Sequence, residues 1–327
     1  ENYRAIETYL PKSRPDNKPT VLITSRYANW DNVATTMKLN VFTEHETQEL
    51  IQKSLGFQEH TPLEIILQLN QLLQGLPLAL QQALAYIKLQ IGSDSLFSFK
   101  DYIELYKEKK KELLNFDFKK YSNDPYLETV FTTWLITLCK IKSNPMGEDA
   151  IEVLNIMAYL NPDSISIKKF EYLNKIYFPK SYDLASITSL LNSYSMINSH
   201  GKEDVYTIHR LVQQVIRINL EENQEKFKAL IEKTQLLFWH WQFSFKKDQE
   251  VFFHYLHFLI YMAEHKDLIG SLLLGHPEKI LFDNLILKSE KERHYFVDLA
   301  YLKFTKEKFL NFAGDAIAYY IKCGLFF

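Results

Sequence analysis

Glycine is scarce in this chain: 9 residues in 327, against 23 phenylalanines and 20 tyrosines. So little glycine and so many bulky rings argue against a loop-rich all-β fold and favour packed helices. Cysteine is rarer still. Cys139 and Cys323 lie far apart, too few for a disulfide framework or a zinc site, and both read as reduced core residues of a cytoplasmic protein. Neither charge dominates, since 38 basic residues stand against 40 acidic ones for a net charge of −2. That balance gives no strong pull toward nucleic acid or a membrane surface. The longest apolar stretch, Val251 to Ala263, is interrupted by His254 and His257. It falls well short of the ~20 residues that cross a bilayer. No targeting segment is visible, and a chain that opens on Glu1 reads as cut from something longer.

What is present is ample core material, with 46% hydrophobic and 24% charged residues. The length suits two or three units of about 100–150 residues. A short helix is expected around Tyr3 to Leu10, then a polar loop from Pro11 to Pro19. The next run, Thr20-Val21-Leu22-Ile23-Thr24, is β-branched and apolar without alternation, as for a parallel strand covered on both faces. It ends in Ser25-Arg26. One such strand cannot form a sheet alone, so its partners are expected outside this chain.

A second apolar segment, Met37 to Phe42, leads into helices. Thr43 and Glu46 have the form of a capping box, and a helix follows to about Leu55. Thr61-Pro62 opens another, with Leu63, Ile66, Leu67, Asn70 and Leu73 at helical spacing. Gly75-Leu76 interrupts it, and Pro77 suits the first turn of the helix that resumes through Leu78 to Leu89. A further helix spans Phe99 to Leu114, where Lys107, Lys109, Lys110 and Lys111 alternate with acids as a solvated face.

From Asp124 to Leu220 the rhythm changes. Helical patterns at Leu127–Cys139, Glu148–Tyr159 and Tyr182–Tyr194 precede two β-like segments, Ser195–Asn198 and Val205–Ile208, and a closing helix from His209. Helices, a small hairpin and a helix are the pattern of a winged-helix domain. The candidate reading elements carry no compact basic patch, which argues against DNA binding. After Glu222 the patterning is helical and aromatic, and stacked helix pairs of a repeat solenoid are expected; Tyr295 to Phe327 loosely resembles a tetratricopeptide repeat.

Four segments, in order, resemble the NB-ARC (STAND) family of nucleotide-gated switches in its bacterial, repeat-bearing branch. Thr24-Ser25-Arg26 is similar to the sensor strand, whose arginine faces the γ-phosphate. Gly75-Leu76-Pro77-Leu78-Ala79-Leu80 resembles the GLPLAL motif, whose proline lies against the adenine. Thr132-Thr133-Trp134 resembles the opening of the winged-helix unit. Tyr194 to Ile197, followed by Ile208-His209-Arg210-Leu211, resembles its ending. There His209 takes the histidine place of the MHD motif, which contacts the β-phosphate of ADP. Ile208 and Arg210 stand where that motif has Met and Asp.

The resemblance covers about residues 1–220. It implies a mainly α chain: the remnant of a nucleotide-binding α/β domain over 1–42, a helical bundle over 43–123, a winged-helix domain over 124–221 and helical repeats over 222–327. It further implies ADP or ATP as ligand, with Thr24, Ser25, Arg26, Gly75, Leu76, Pro77 and His209 around it. A protein or peptide partner on the repeats and homo-oligomers on activation are also implied. No G-x-x-x-x-G-K-[ST] occurs, so this chain alone should not hydrolyse ATP, and Mg²⁺ is expected only in the full-length protein. Plainer readings of the same residues stand beside these. Arg26 also fits a surface ion pair, Pro77 a helix start and His209 a cap. Trp134, Trp239 and Trp241 fit the core, and His254 and His257 a helix core rather than a metal pair. Two functions of other classes fit as well: a nucleotide-independent helical scaffold or adaptor, and a DNA-binding regulator.

Overall fold

The structure, a computed structural model, describes residues 21–23, 35, 37–55, 62–113, 116–122, 124–171, 183–199 and 204–241, together with His254, His257, Phe258 and Tyr261. Residues 1–41 and 42–327 form two compact units. In the first, Val21, Leu22 and Ile23 carry no regular secondary structure, and Leu22 is 86% exposed. The strand expected from Thr20 to Thr24 is therefore not formed over these residues. A strand needs a paired neighbour, and among the described residues no strand pairs with this segment. Met37 and Leu39 are likewise exposed and irregular. The helix expected around Tyr3 to Leu10 lies outside the described residues.

The second unit is mainly helical. Helix α1 (Glu44–Leu55) starts as its sequence dictates: the Thr43 hydroxyl accepts from the Glu46 amide, and Glu46 Oε2 accepts from the Thr43 amide at 2.8 Å. Those bonds also hold the Glu46 carboxyl below its usual pKa. Helix α2 (Leu63–Leu72) buries Ile65, Ile66 and Leu69. Helix α3 (Pro77–Ser93) carries Pro77 in its first turn, and α4 (Phe99–Glu112) has its own capping box from Ser98 and Asp101. The lysines at the end of α4 pair with acids: Lys107 with Glu104, Lys109 with Glu112, and Lys110 with Glu128 across to the helix that follows.

Helix α5 (Leu127–Lys142) is the central element, packed against α3 and α4 on one side and against α6 (Gly147–Met157) and α8 (Arg210–Glu221) on the other. Trp134 is 1% exposed at its middle, edge-on to Phe131. Cys139 is a correction: it is exposed, not in the core. With the exposed Lys142, three residues on, it lies on the side that α5 does not bury. The chain turns tightly into α6. A Cβ on Gly147 would lie 2.1 Å from the Ile141 carbonyl oxygen, so a glycine is required there.

A three-stranded antiparallel sheet follows, in the order β1 (Ile165–Ser166), β3 (Val205–Thr207), β2 (Asn198–Ser199). Ile165 faces Tyr206 and Asn198 faces Thr207. Strands β2 and β3 pair as expected of the two β-like segments, but β2 begins at Asn198, where the expected segment Ser195–Asn198 ends. The strand β1 was not foreseen, although Ser164-Ile165-Ser166-Ile167 alternates and buries both isoleucines. Helix α7 (Leu184–Ser193) begins at an Asp183 cap.

Helix α8 closes over the end of α6. Gln213, 1% exposed, donates its amide to the carbonyls of Met157 at 3.0 Å and Leu160 at 2.9 Å, and Arg217 donates to Ala158 at 2.8 Å. These carbonyls lie at and just beyond the end of α6, where the helix ladder runs out, and the Arg217 cation suits the negative end of the α6 dipole. Helix α9 (Gln224–Trp241) follows; the side chains of Trp239 and Trp241 lie outside the described residues. Beyond it His254 is buried and contacts the Ser164 carbonyl, and the Tyr261 ring lies over Arg217. A single apolar cluster runs from Ile51 to Tyr261. The rest of the expected repeats lies outside the described residues.

Gln213→Leu keeps the volume but removes a side-chain donor from two buried carbonyls. Stability in urea unfolding should fall by about 2 kcal/mol, with an unchanged slope on denaturant. A loss below about 0.5 kcal/mol would show that α8 does not depend on this cap.

Candidate functional site

Two local structures contain the described candidate residues. The first is the turn between α2 and α3. Gln74 and Gly75 both have positive φ, 54° and 62°, so the chain reverses over two consecutive left-handed residues. Glycine adopts that conformation freely; glutamine does so at a cost. The Gly75 amide donates to the Asn70 carbonyl at 2.9 Å, and the Leu76 amide to that of Leu73 at 3.0 Å. The Gly75 carbonyl in turn accepts the Phe42 amide at 2.7 Å. Asn70 reinforces this closure: its side-chain amide donates to the Phe42 carbonyl at 3.1 Å and to Thr47 Oγ1 at 2.6 Å. The segment entering α1 is thus bound to the turn at backbone level. On the far side, Gln74 Nε2 donates to Thr129 Oγ1 at 2.9 Å. Gly75 is buried, Leu76 half-buried and Pro77 exposed at the head of α3. Proline needs no amide partner there.

The second is the start of α8. The Ile208 amide donates to the Pro162 carbonyl at 2.9 Å, which fixes the backbone that delivers His209. His209 is extended (φ −68°, ψ 136°) and caps the helix: its Nδ1 accepts the Leu211 amide at 3.1 Å. An accepting Nδ1 puts the proton of the neutral ring on Nε2, so His209 presents an N–H donor away from the helix. The side chain is exposed by area, yet the protein around the ring withdraws enough water to push its pKa below the ordinary 6.5, and the Arg210 cation adds to that. The neutral ring at a helix amino terminus, beside Arg210, is a local arrangement that suits an anion.

Gly75, Leu76 and Pro77 are thus brought together in one clamped turn. His209 heads a different helix, and no hydrogen bond joins it to that turn among the described residues. Thr24, Ser25 and Arg26 lie outside the described residues. Among the described residues no group of His, Cys, Asp and Glu could hold a metal ion, and no helix is long and apolar enough to cross a membrane. Sequence reasoning missed Asn70, Gln74 and Thr129 as site-shaping residues. Asn70 had a signal: it is a polar residue on the inward stripe of an otherwise Leu- and Ile-lined helix.

Residues 142–225 match a family described as a domain of unknown function (DUF7779). His209 falls inside that stretch, and the Gly75–Pro77 turn falls outside it. A protein of Hyaloscypha variabilis named nucleotide-binding leucine-rich repeat (NLR)-like protein is 26% identical over 245 residues, covering 69% of this chain. The match spans 22% of that relative's length.

A histidine whose folded pKa is depressed takes up a proton more readily when unfolded. Its contribution to stability is present above about pH 6.5 and is lost as pH falls through the lowered folded value. His209→Asn keeps a capping side chain but does not titrate. The variant should lose less melting temperature than the parent between about pH 7 and pH 5, with similar stability at pH 7. Identical pH profiles would show that His209 does not titrate with folding.

Proposed function

We propose that this chain is the regulatory part of a nucleotide-gated signalling switch of the NB-ARC (STAND) kind, in which the helical bundle and a winged-helix unit border an ADP or ATP site. The observation that carries the reading is the turn from Asn70 to Pro77. Its two left-handed residues and its backbone closure onto Phe42 hold Pro77 exposed at a helix head, available to a flat purine face. The neutral His209, with Nε2–H directed away from its own helix, fits a phosphate oxygen. The NLR-like name of the relative supports the same class.

In this reading Gly75, Leu76 and Pro77 form the adenine side, and His209 donates to the β-phosphate from the helix α8. Arg26, with Thr24 and Ser25, faces the γ-phosphate. The nucleotide supplies the phosphate charge that distinguishes the closed from the open form. The protein responds only as far as the two forms differ in affinity for it. Phosphate-binding loop, Walker acid and Mg²⁺ belong to the full-length protein. Repeats after residue 222 take a protein or peptide, and activated subunits associate.

Calorimetric titration of the full-length protein with ADP and with ATP, together with the rate at which excess unlabelled ADP displaces a fluorescent ADP analogue, tests this. ADP should bind saturably, and His209→Ala should release it about tenfold faster, the effect of one charge-assisted hydrogen bond. His209→Asn controls for the helix cap. Release at the parent rate in His209→Ala, or no binding of either nucleotide, would contradict the proposal. The second result would favour a nucleotide-independent scaffold.

A further inference from the structure

Gln74 is an unexpected residue for its backbone. A left-handed φ of 54° is cheap for glycine, tolerable for asparagine and costly for glutamine, so the side chain must return something the backbone gives up. What it makes is a hydrogen bond spanning 55 residues of sequence, from Gln74 Nε2 to Thr129 Oγ1 in the first turn of α5. Thr129 is itself distinctive. The neighbouring buried threonines 132, 133 and 137 turn their hydroxyls back to carbonyls four residues earlier, at Glu128, Thr129 and Thr133. Thr129 instead accepts from the turn. Its hydroxyl lies in a polar layer where Tyr106 Oη sits beside Thr129 and Thr132 without a well-formed bond to either, and where burial raises the Tyr106 pKa.

The turn is therefore gripped from two directions. Phe42, Asn70 and Thr47 hold it toward the segment that enters α1, and Thr129 holds it toward the central helix. We infer that Gln74 is a positioning residue that couples the Gly75–Pro77 turn to α5 through Thr129, so that a nucleotide seated at the turn and the placement of α5 stabilise one another. The inference rests on the nucleotide reading proposed above and adds to it the route by which the site reaches the central helix. Coupling of this kind is reciprocal: if the contact favours the nucleotide-binding shape of the turn, the nucleotide favours the contact by the same factor.

The test uses the full-length protein, with ADP as the probe. Gln74→Gly keeps the left-handed turn, relieves its backbone cost and deletes the tie; Thr129→Val removes the hydroxyl at constant volume. Each should weaken ADP about three- to tenfold, the worth of one hydrogen bond. The double variant should be no weaker than the stronger single one, and Thr129→Ser should restore the parent affinity. Parent-like ADP affinity in both single variants overturns the inference while leaving the nucleotide reading intact. The same holds if the variants lower the melting temperature equally with and without ADP, which marks a purely structural contact. Absence of ADP binding by the unaltered protein overturns both. Should Thr129→Val fail to fold, Gln74→Gly, at an exposed position, decides the question alone.

Discussion

The hydrogen bond from the Phe42 amide to the Gly75 carbonyl is the constraint from which the arrangement of the helical unit follows. It closes a loop of more than thirty residues at backbone level, and the Asn70 side chain bridges the same point to Phe42 and Thr47. A carbonyl can accept there only if the peptide plane is turned outward. Two left-handed residues in succession turn it, and glycine at the second adopts that conformation without steric cost. Helix α1 also packs on α2 and α3 through the buried Thr47 and Ile51, and the closure fixes how the chain enters that packing. A short motif often valued for its chemistry is here first of all a solution to a chain-reversal problem.

The other half of the candidate site depends on a different device. Helix α8 is held because its polar side chains meet the open carbonyl end of α6, with Gln213 serving two acceptors and Arg217 a third. His209 inherits its place from that docking and from the backbone bond that ties Ile208 to Pro162. Between the two halves runs α5, buried along most of its length, with aromatic packing around Trp134 and a layer of threonines facing the tyrosines of α4. The hydroxyls of Thr132, Thr133 and Thr137 bond back within α5, so burial and ring packing hold this interface.

Much of this was legible beforehand because local chemistry and final structure agree. The Thr43–Glu46 box starts α1, Pro77 starts α3, and the apolar periodicity from Leu127 onward marks α5. The failures have physical causes. Val21 to Ile23 read as a buried strand from its side chains, but a strand exists only when paired, and pairing is invisible in the segment itself. Cys139 read as core by residue type, whereas its place on the exposed side of α5 decided otherwise. The strand β1 is two residues long, too short for its alternation to stand out. Gln74 and Thr129 could not be paired in advance, because their contact is a consequence of how α3 and α5 pack. The cap at His209 was readable only as a position at a helix start; its tautomer needed the Leu211 amide to be seen.

The central claim is spatial: the Pro77 turn and the His209 helix head serve one nucleotide. A crystallographic or cryo-electron-microscopy structure of the full-length protein with ADP bound tests it most directly. The account predicts a single ADP with its adenine against Pro77 and a β-phosphate oxygen accepting from His209 Nε2. An ADP that touches neither residue, or Pro77 and His209 on surfaces with no shared cleft, would contradict it.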